Sequence, residues 1–355
     1  MEPLKLKDGK IVRSENPLNL ETPFDALDGF LTDTSAFYVR SHFPIPAVDR
    51  NGWRLRVEGE VEHALELSYD QLLRLDSRTI LVTLECAGNG RSLLTTKVKG
   101  VQWGLGAVGT ARWTGVSLAQ ILELATPRCG ACEVILEGAD EGLVDDEKAP
   151  RGNVRFARSI PLKKALADVV LAYRMNGVEL PPQHGFPVRA IVPGWYAVAS
   201  IKWLRRIIVT DDAFNGYYQT LDYAFWTRAG DNAQLVPLRE LQVKAQIARP
   251  VQRETLPPNA PVRVHGAAWA GAGARIVKVE LTTDGGETWS ETRLGESAPN
   301  AWCLWDYTWQ TPAQPGEHIL MARATDSLGQ VQPSYRDPDR GTYMINHLLP
   351  VRVHT

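Results

Sequence analysis

The sequence predicts an α+β protein of two domains, in which a mixed domain over residues 1–245 precedes an all-β sandwich over residues 246–355. Before residue 245, short strands and isolated helices do not alternate strictly, which argues against a doubly wound parallel sheet. A Pro-rich passage between Arg249 and Pro261 then separates the two parts. Beyond it, short alternating strands follow at a spacing typical of an immunoglobulin-like sandwich, with almost no helical pattern.

The first domain contains two capped helices and at least five strands. Ser117 and Gln120 form a capping box ahead of an apolar helix that ends at Ala125, and Ser68 caps a second helix with Gln71. Irregular segments rich in Gly, Pro and Trp separate the predicted strands. These strands are Leu55–Val57, Ile80–Leu84, Val134–Leu136, Val188–Val192 and Ile207–Val209.

The second domain shows five strand-like runs and one clear hairpin. The runs are Val262–Val264, Ile276–Leu281, Trp289–Leu294, Trp302–Trp309 and Ile319–Ala324. Asp284-Gly285 is a strong hairpin signal, and the surrounding segment Thr282–Trp289 has the form of an Asp-box, which sialidase propellers repeat in several blades. Because it occurs once here, it predicts a hairpin and no catalytic site. The domain as a whole predicts a sandwich of the seven-strand type.

Composition excludes several classes of function. The chain has 355 residues, of which 44% are hydrophobic and 23% charged, with a net charge of −2, as expected for a soluble globular protein of about two domains. No polybasic surface is implied, so we expect no nucleic-acid partner. No apolar run approaches the roughly 20 residues that span a bilayer. The N-terminus carries no twin-Arg or signal-peptide pattern, so a cytoplasmic location is predicted, with a removed export leader as the alternative.

Two motifs do not have the context that their usual functions require. Gly104, Gly106 and Gly109 match the spacing of a dinucleotide-binding loop, with Glu123 near the expected acidic position, but no strand precedes them and no helix opens among them. We therefore expect no nicotinamide site. Residues 129–132 form a lone CxxC, which has neither two further zinc ligands nor the His that a c-type haem needs. The four cysteines are too few to suggest a disulfide framework.

Cys86 is the most informative residue of the chain. It lies where the apolar run Ile80–Leu84 breaks into a glycine-containing turn, five residues before Arg91. A neighbouring cation favours the thiolate, which is a nucleophile or a soft metal ligand. The alternative is a small buried apolar residue, as most lone cysteines are.

Three other segments gather cations and hydrogen-bond donors. Arg40 and His42 lie on a Pro-stiffened extended stretch, and residues 336–341 supply further cations late in the chain. His184, Arg189 and Lys202 come from a region framed by Gly and Pro, an arrangement that suits a phosphate. Each of these residues alone would be interpreted as a loop histidine or a solvated surface charge.

Taken together, these segments resemble the sulfite oxidase family of molybdenum enzymes. The segment 38–46 is similar to that family's aromatic-x-Arg-Asn-His-x-Pro-x-Pro stretch, with Ser41 in place of Asn, and 86–91 is similar to Cys-Ala-Gly-Asn-Arg-Arg, with Gly90 in place of the first Arg. The resemblance covers roughly residues 36–355. Its further landmarks are Trp103, Trp113, Arg174–Gly177, His184–Arg189, Val192–Gly194, Lys202–Leu204, Asp222–Tyr223 and Arg340–Gly341.

The resemblance implies a role for each of these positions. Cys86 would be the one protein thiolate on a molybdenum that a pterin dithiolene also binds. The positions that match the family's pterin and phosphate contacts are Tyr38, Arg40, His42, Asp140, His184, Arg189, Ser200 and Lys202. Around the substrate oxyanion, the resemblance places Arg40, Arg91 and Arg340, with Tyr223 as a hydrogen-bond donor and Trp103 as a wall of the pocket.

The function that the resemblance implies is molybdenum-dependent oxidation of sulfite to sulfate by oxygen-atom transfer. The chain has neither an extra haem domain nor a CxxCH, so we expect no haem in this chain, an external one-electron acceptor such as a cytochrome, and a homodimer formed through the sandwich. A reductase of nitrate or of an S- or N-oxide, or a non-catalytic binding module, are the alternatives. Gly90, Ala199 and Ala224 each stand where the family has a cation, which would weaken sulfite affinity or permit another substrate.

Overall fold

The structure, a computed structural model, describes residues 6–7, 9–230 and 232–355, so the N-terminal residues used for the leader prediction lie mostly outside it. Its described part contains four α-helices: α1 Tyr69–Leu73, α2 Leu118–Ala125, α3 Leu162–Ala167 and α4 Tyr217–Thr220. Among the described residues, no helix is both long and apolar enough to cross a membrane.

Fifteen strands belong to the first domain as the structure describes it. They are β1 Leu6–Lys7, β2 Lys10–Ser14, β3 Asn19–Glu21, β4 Arg54–Gly59, β5 Leu65–Ser68, β6 Ser77–Glu85, β7 Val108–Ser117, β8 Glu133–Gly142, β9 Val154–Pro161, β10 Val170–Met175, β11 Val178–Glu179, β12 Arg189–Ile191, β13 Leu204–Thr210, β14 Ala224–Ala229 and β15 Asn232–Pro237.

These strands form two five-stranded sheets, a small three-stranded sheet and a hairpin. One large sheet has the order β11-β10-β7-β6, with β12 beside β10, and the other has the order β5-β4-β13-β8-β9. Only the β4–β13 pair within these sheets is parallel. The strands β1-β2-β3 form the small sheet, and β14 pairs with β15. The mixed fold predicted for this part is therefore confirmed.

The second part is a sandwich of two four-stranded sheets. Its strands are β16 Lys244–Arg249, β17 Pro261–Trp269, β18 Ile276–Thr282, β19 Ser290–Glu291, β20 Arg293–Ser297, β21 Cys303–Gln310, β22 Glu317–Asp326 and β23 Val351–His354. The sheet orders are β16-β17-β21-β20 and β19-β18-β22-β23. Apolar residues of both sheets form one core, among them Val264, Val279, Trp305 and Leu320. The predicted run 289–294 is divided between two strands, and the predicted limit at residue 245 falls inside β16.

Both predicted helices begin at their predicted caps. Ser68 accepts a hydrogen bond from the Gln71 N–H at 3.2 Å, and the Gln71 side chain returns one to the Ser68 N–H at 2.8 Å, which completes a capping box. Ser117 accepts from the Gln120 N–H at 3.2 Å. The return bond predicted for Gln120 is wrong, because its side-chain oxygen is buried without a partner.

The glycine motif binds a carboxylate of the protein itself. The N–H groups of Gly104 and Gly106 donate to the Glu21 side chain at 2.9 and 3.0 Å, and Arg13 pairs with the same carboxylate. Gly109 lies in β7, a strand, where a dinucleotide fold would have a helix. The exclusion of a nicotinamide site at this motif therefore agrees with the structure.

The remaining two motifs also have local roles. Asp284 accepts hydrogen bonds from the Thr288 N–H and hydroxyl at the turn between β18 and β19, as the hairpin prediction requires. Cys129 and Cys132 are free, exposed thiols. No group of three or more His, Cys, Asp or Glu side chains that could hold a metal occurs in the part of the chain that the structure describes.

We predict that Gly106→Ala destabilises the fold, because a Cβ at this position would lie 1.6 Å from the Thr22 carbonyl oxygen. Overpacking of this kind costs about 1–3 kcal/mol of the free energy of unfolding, which urea denaturation would measure. Gly29→Ala is the matched control, since a Cβ there meets no atom within 4 Å. Equal midpoints for the two variants would contradict the prediction.

Candidate active site

A single cavity gathers most of the predicted site residues. It lies between the end of β6, the extended segment 37–42 and the stretch 183–203 that leads through β12. The polar side chains that line it are Tyr38, Arg40, His42, Cys86, Asp140, Gln183, His184, Arg189, Ser200, Lys202 and Tyr223. All eight residues predicted to bind a cofactor, the predicted metal ligand and two predicted substrate contacts, Arg40 and Tyr223, thus meet at one place, with Arg40 predicted in both roles.

The fold holds the backbone of Cys86 firmly at the cavity wall. Its N–H donates to the Ala107 carbonyl at 2.9 Å, and its carbonyl accepts from the Asn89 N–H at 2.9 Å. Gly90 then turns the chain with a φ of +91°, a conformation that L side chains rarely adopt. Cys86 is buried, is not in a disulfide, and is the one cysteine that lines the cavity. A rigid thiol with no covalent partner suits a soft metal.

The cations of the cavity are held by neutral oxygens. Arg189 donates to the carbonyls of His184 and Ser200 at 3.0 and 3.1 Å, and its Nε is buried without a partner. Lys202 donates to the Gln183 carbonyl at 3.0 Å and to the Ser41 hydroxyl at 3.2 Å. Carbonyl and hydroxyl oxygens fix these side chains but do not cancel their charge.

Arg40 is bound in the same way. It donates to the Ser41 carbonyl and to the Asn19 side-chain oxygen, the latter at 3.4 Å. Its other terminal nitrogen lies 3.5 Å from the Tyr223 hydroxyl. Asp140 is the one carboxylate that lines the cavity, so cations outnumber anions there.

Burial is the largest cause of the pKa shifts of Lys202 and Asp140 in this cavity, and neighbouring charges modify both. Burial, with the charges of Arg189 and Arg40, lowers the pKa of Lys202 well below its usual value, and Asp140 only partly opposes this shift. Burial raises the pKa of Asp140 to about 6, despite the nearby Lys202. The protonated lysine is therefore disfavoured in this cavity until an anion binds.

His42 and Tyr223 form a neutral pair beside Arg40. The His42 Nε2 lies 2.7 Å from the Tyr223 hydroxyl, and the imidazole stacks on Phe156 at 4.3 Å. Burial, reinforced by Arg40 and Lys202, lowers the pKa of His42 well below its usual value. Burial raises the pKa of Tyr223 to about 12. At neutral pH the tyrosine thus keeps its proton and can donate a hydrogen bond.

Two of the other predicted substrate contacts form a layer behind the cavity and do not line it. Arg91 donates to the carbonyls of Val101 and Thr342 at 2.8 and 3.1 Å, and its guanidinium lies 5.2 Å from the ring centroid of Tyr343. Trp103 is fully buried, meets the Tyr38 ring edge-on at 6.4 Å, and has an indole nitrogen without a partner.

Arg340 does not line the cavity either, and its charge is partly neutralised. Its Nε pairs with Asp337 at 3.0 Å, and its guanidinium lies 4.5 Å from the Phe225 ring centroid. A direct contact of Arg91, Trp103 or Arg340 with a substrate stays a prediction.

The structure adds residues that the sequence did not reveal. Arg158, which is fully buried, donates to the carbonyls of Tyr218, Tyr223 and Leu238 and so fixes the segment that carries the Tyr223 hydroxyl. The Tyr343 ring stacks on Tyr223 at 4.9 Å, which links Arg91 to the cavity through two rings. Strand β9 contains two arginines, Arg155 and Arg158, and no local pattern distinguishes the buried one.

The donor set of the cavity fits an anionic cofactor that also carries a metal. Arg189 has a free buried N–H, Lys202 has no carboxylate partner at hydrogen-bond distance, and Cys86 offers one soft ligand. A phosphate would satisfy the cations, because charge-assisted hydrogen bonds to phosphate are short and strong. A thiol-ligated metal would satisfy the sulfur.

Comparisons with known proteins agree with this fit. Residues 42–218 match the family described as "Oxidoreductase molybdopterin binding domain", and residues 236–346 match "Mo-co oxidoreductase dimerisation domain". The fold and the site therefore define a molybdopterin-binding oxidoreductase.

Individual relatives indicate the family of molybdopterin-binding oxidoreductases to which the chain belongs. The chain is 38% identical to sulfite oxidase of Gallus gallus over 343 residues, which cover 92% of this chain and 73% of that protein. It is 36% identical to mitochondrial sulfite oxidase of Mus musculus, of which it spans 61%. It is also 34% identical to an NADH nitrate reductase of Lotus japonicus, of which it spans 38%. The chain belongs to the sulfite oxidase family.

A solved structure shows the same architecture. The sulfane dehydrogenase SoxCD of Paracoccus pantotrophus superposes with a TM-score of 0.82 at 27% identity, and the match covers 96% of this chain and 85% of that one. The mixed domain and the sandwich thus recur together in a related protein.

We predict that Lys202→Met changes how the stability of the cofactor-free protein depends on pH. Since the folded-state pKa of Lys202 lies below its unfolded value, unfolding takes up a proton below about pH 10.4, and stability rises with pH towards that value. The free energy of unfolding of the wild type should therefore rise between about pH 8 and 10 through the titration of Lys202, and that of Lys202→Met should lack this contribution. Denaturant unfolding at both pH values would measure the two free energies of unfolding. The same change with pH in the wild type and in Lys202→Met would contradict the prediction.

Proposed function

We propose that this protein oxidises sulfite to sulfate with a molybdenum–pterin cofactor and passes the electrons to an external one-electron acceptor such as a cytochrome. The observation that carries the proposal is one thiol, Cys86, in a cavity whose cations are held by neutral oxygens. Sulfite oxidases among the relatives, at 36–38% identity, support the choice of substrate.

Each part of the cavity has a task in this proposal. Cys86 would bind the metal, and the residues that would hold the pterin and its phosphate are Tyr38, Arg40, His42, Asp140, His184, Arg189, Ser200 and Lys202. When bound, the cofactor supplies the oxygen-atom transfer and accepts the two electrons, as cofactors generally carry such chemistry.

Arg40 and Tyr223 would bind the substrate oxyanion. The Arg40 guanidinium and the Tyr223 hydroxyl lie 3.5 Å apart, so two donors face the same region. Arg stays charged at any relevant pH, and the tyrosine proton is retained because its pKa is about 12. His42 holds the tyrosine hydroxyl in place from the other side. Both groups thus stay protonated and remain hydrogen-bond donors throughout the physiological pH range.

Nitrate reduction is the competing activity, because nitrate reductases also occur among the relatives. Purified protein loaded with molybdenum and pterin would be assayed with sulfite and ferricyanide or cytochrome c, and separately with nitrate and a reduced viologen dye. Turnover with nitrate alone would overturn the proposal. A purified protein that contains no molybdenum after expression in a competent host would instead indicate a non-catalytic binding module.

The sandwich would form the homodimer. Residues 236–346 match a dimerisation domain, and light scattering of the purified protein would test this assembly.

Cys86→Ser should abolish sulfite turnover, because a hydroxyl is a harder and far less acidic ligand than a thiol. Steady-state assays and metal analysis would be made on the same sample. Cys303→Ser is the matched control, since that thiol lies in the sandwich core. Normal turnover in Cys86→Ser would show that the thiol is not a ligand.

Arg40→Met should raise the KM for sulfite about 10- to 100-fold, because it removes charge-assisted bonds of about 1.5–3 kcal/mol. Arg340→Met should have a smaller effect, since Arg340 pairs with Asp337 and does not line the cavity. Arg56→Met removes an equal charge from an exposed pair with Glu66 and serves as the control. An unchanged KM in Arg40→Met would show that Arg40 does not bind the substrate.

A further inference from the structure

Glu85, the residue immediately before Cys86, takes part in a buried network that the proposed chemistry does not use. It ends β6, and although Leu84 and Cys86 line the cavity, Glu85 does not. This agrees with the alternation of side chains along a strand. The Glu85 side chain is only 3% exposed, and its carboxylate would be costly to bury without partners.

Three donors satisfy that carboxylate, and two of them come from the sandwich. Lys244 and Asn89 donate to Oε1 at 2.9 and 3.1 Å, and the Trp269 indole donates to Oε2 at 2.9 Å. Lys244 begins β16, Trp269 ends β17, and the two residues pair directly across these strands. The Lys244 side chain is 1% exposed. The β16–β17 side of the sandwich therefore contacts Glu85, the residue that precedes Cys86.

Asn89 connects the hydrogen-bond network of Glu85 to the backbone of Cys86. Its side-chain amide also lies 3.2 Å from the Gln246 oxygen on β16, and its own oxygen accepts from the Ala107 N–H at 3.0 Å. Ala107 in turn accepts from the Cys86 N–H, and Asn89 donates its N–H to the Cys86 carbonyl. The backbone on both sides of the thiol is thus fixed by groups tied to β16.

A buried ion pair of this kind contributes little net stability compared with apolar residues of the same size, because desolvation offsets the attraction. It does fix geometry, since a carboxylate with three donors has one favourable orientation. Residues outside the ligand sphere that orient a metal ligand typically change metal affinity or activity 10- to 100-fold when they are mutated.

We propose that Lys244 is a positioning residue for the Cys86 thiol, acting through Glu85 and Asn89, so that the sandwich takes part in building the metal site. This inference rests on the proposed function only for the role of Cys86 as the metal ligand. The sandwich then has a structural task within each chain, in addition to any contact with a second copy.

The test compares Lys244→Met with Arg323→Met. Arg323 belongs to a more exposed ion pair in the other sheet of the sandwich, where it pairs with Glu280 at 3.1 Å and lies over the Trp289 ring at 4.2 Å. In the cofactor-free protein, amide hydrogen exchange at Cys86, Asn89 and Ala107 is measured relative to Ile207. Lys244→Met should speed it roughly tenfold or more, and Arg323→Met by less than about twofold.

In the loaded enzyme, Lys244→Met should lower kcat for sulfite about 10- to 100-fold and leave the KM within about twofold, because Arg40 and Tyr223 are untouched. Glu85→Gln should show the same pattern and decides the matter if Lys244→Met does not fold. Equal exchange in Lys244→Met, Glu85→Gln and Arg323→Met would overturn the inference. If the wild type does not oxidise sulfite, the proposed function fails, but the exchange comparison still decides the role of Lys244.

Discussion

An excess of positive over negative charge in one cavity is the constraint on which this site depends. Arg40, Arg189 and Lys202 share one cavity, and carbonyl and hydroxyl oxygens hold them in place. Such oxygens supply direction without neutralising charge, so the cavity keeps a field that attracts anions. The lowered pKa of Lys202 records the free energy that this arrangement costs in the absence of a ligand. A binding anion would relieve that cost, which couples cofactor binding to the stability of the fold.

Two buried carboxylates near the site are bound by groups that do not line the cavity. Glu21 accepts hydrogen bonds from the glycine loop and from Arg13, and Glu85 is directed towards Lys244. Both connect parts of the chain that are distant in sequence, since Glu21 joins β3 to the loop at residue 104 and Glu85 joins β6 to the sandwich. The same contacts therefore hold together parts of the chain that are distant in sequence, whereas Asp140 is the carboxylate that lines the cavity.

The sequence predicted which residues meet in the cavity better than it predicted their partners. Cys86, His184 and Lys202 could be assigned because short patterns of residue type and spacing carry the family resemblance, and all three line one cavity. The pairing of Glu85 with Lys244 spans 159 residues and the binding of Glu21 by Gly106 spans 85. Such contacts depend on how the sheets pack, and no local pattern encodes them. Trp103 was expected in the pocket wall. Its ring meets that of Tyr38 edge-on and is not part of the cavity lining, so its contact with a substrate stays a prediction.

The positions that depart from the family pattern limit the number of cations that can contact the substrate. A Cβ on Gly90 would lie 3.2 Å from Ile345, and its φ of +91° disfavours any side chain, so a cation could not be restored there without moving that loop. Arg91 is held by carbonyls on the far side of Tyr343. Among the arginines assigned to the substrate, Arg40 is thus the one that reaches the cavity. A substrate site in which one guanidinium lines the cavity would suit a small oxyanion, because a bound metal would supply part of the attraction that additional arginines would otherwise provide.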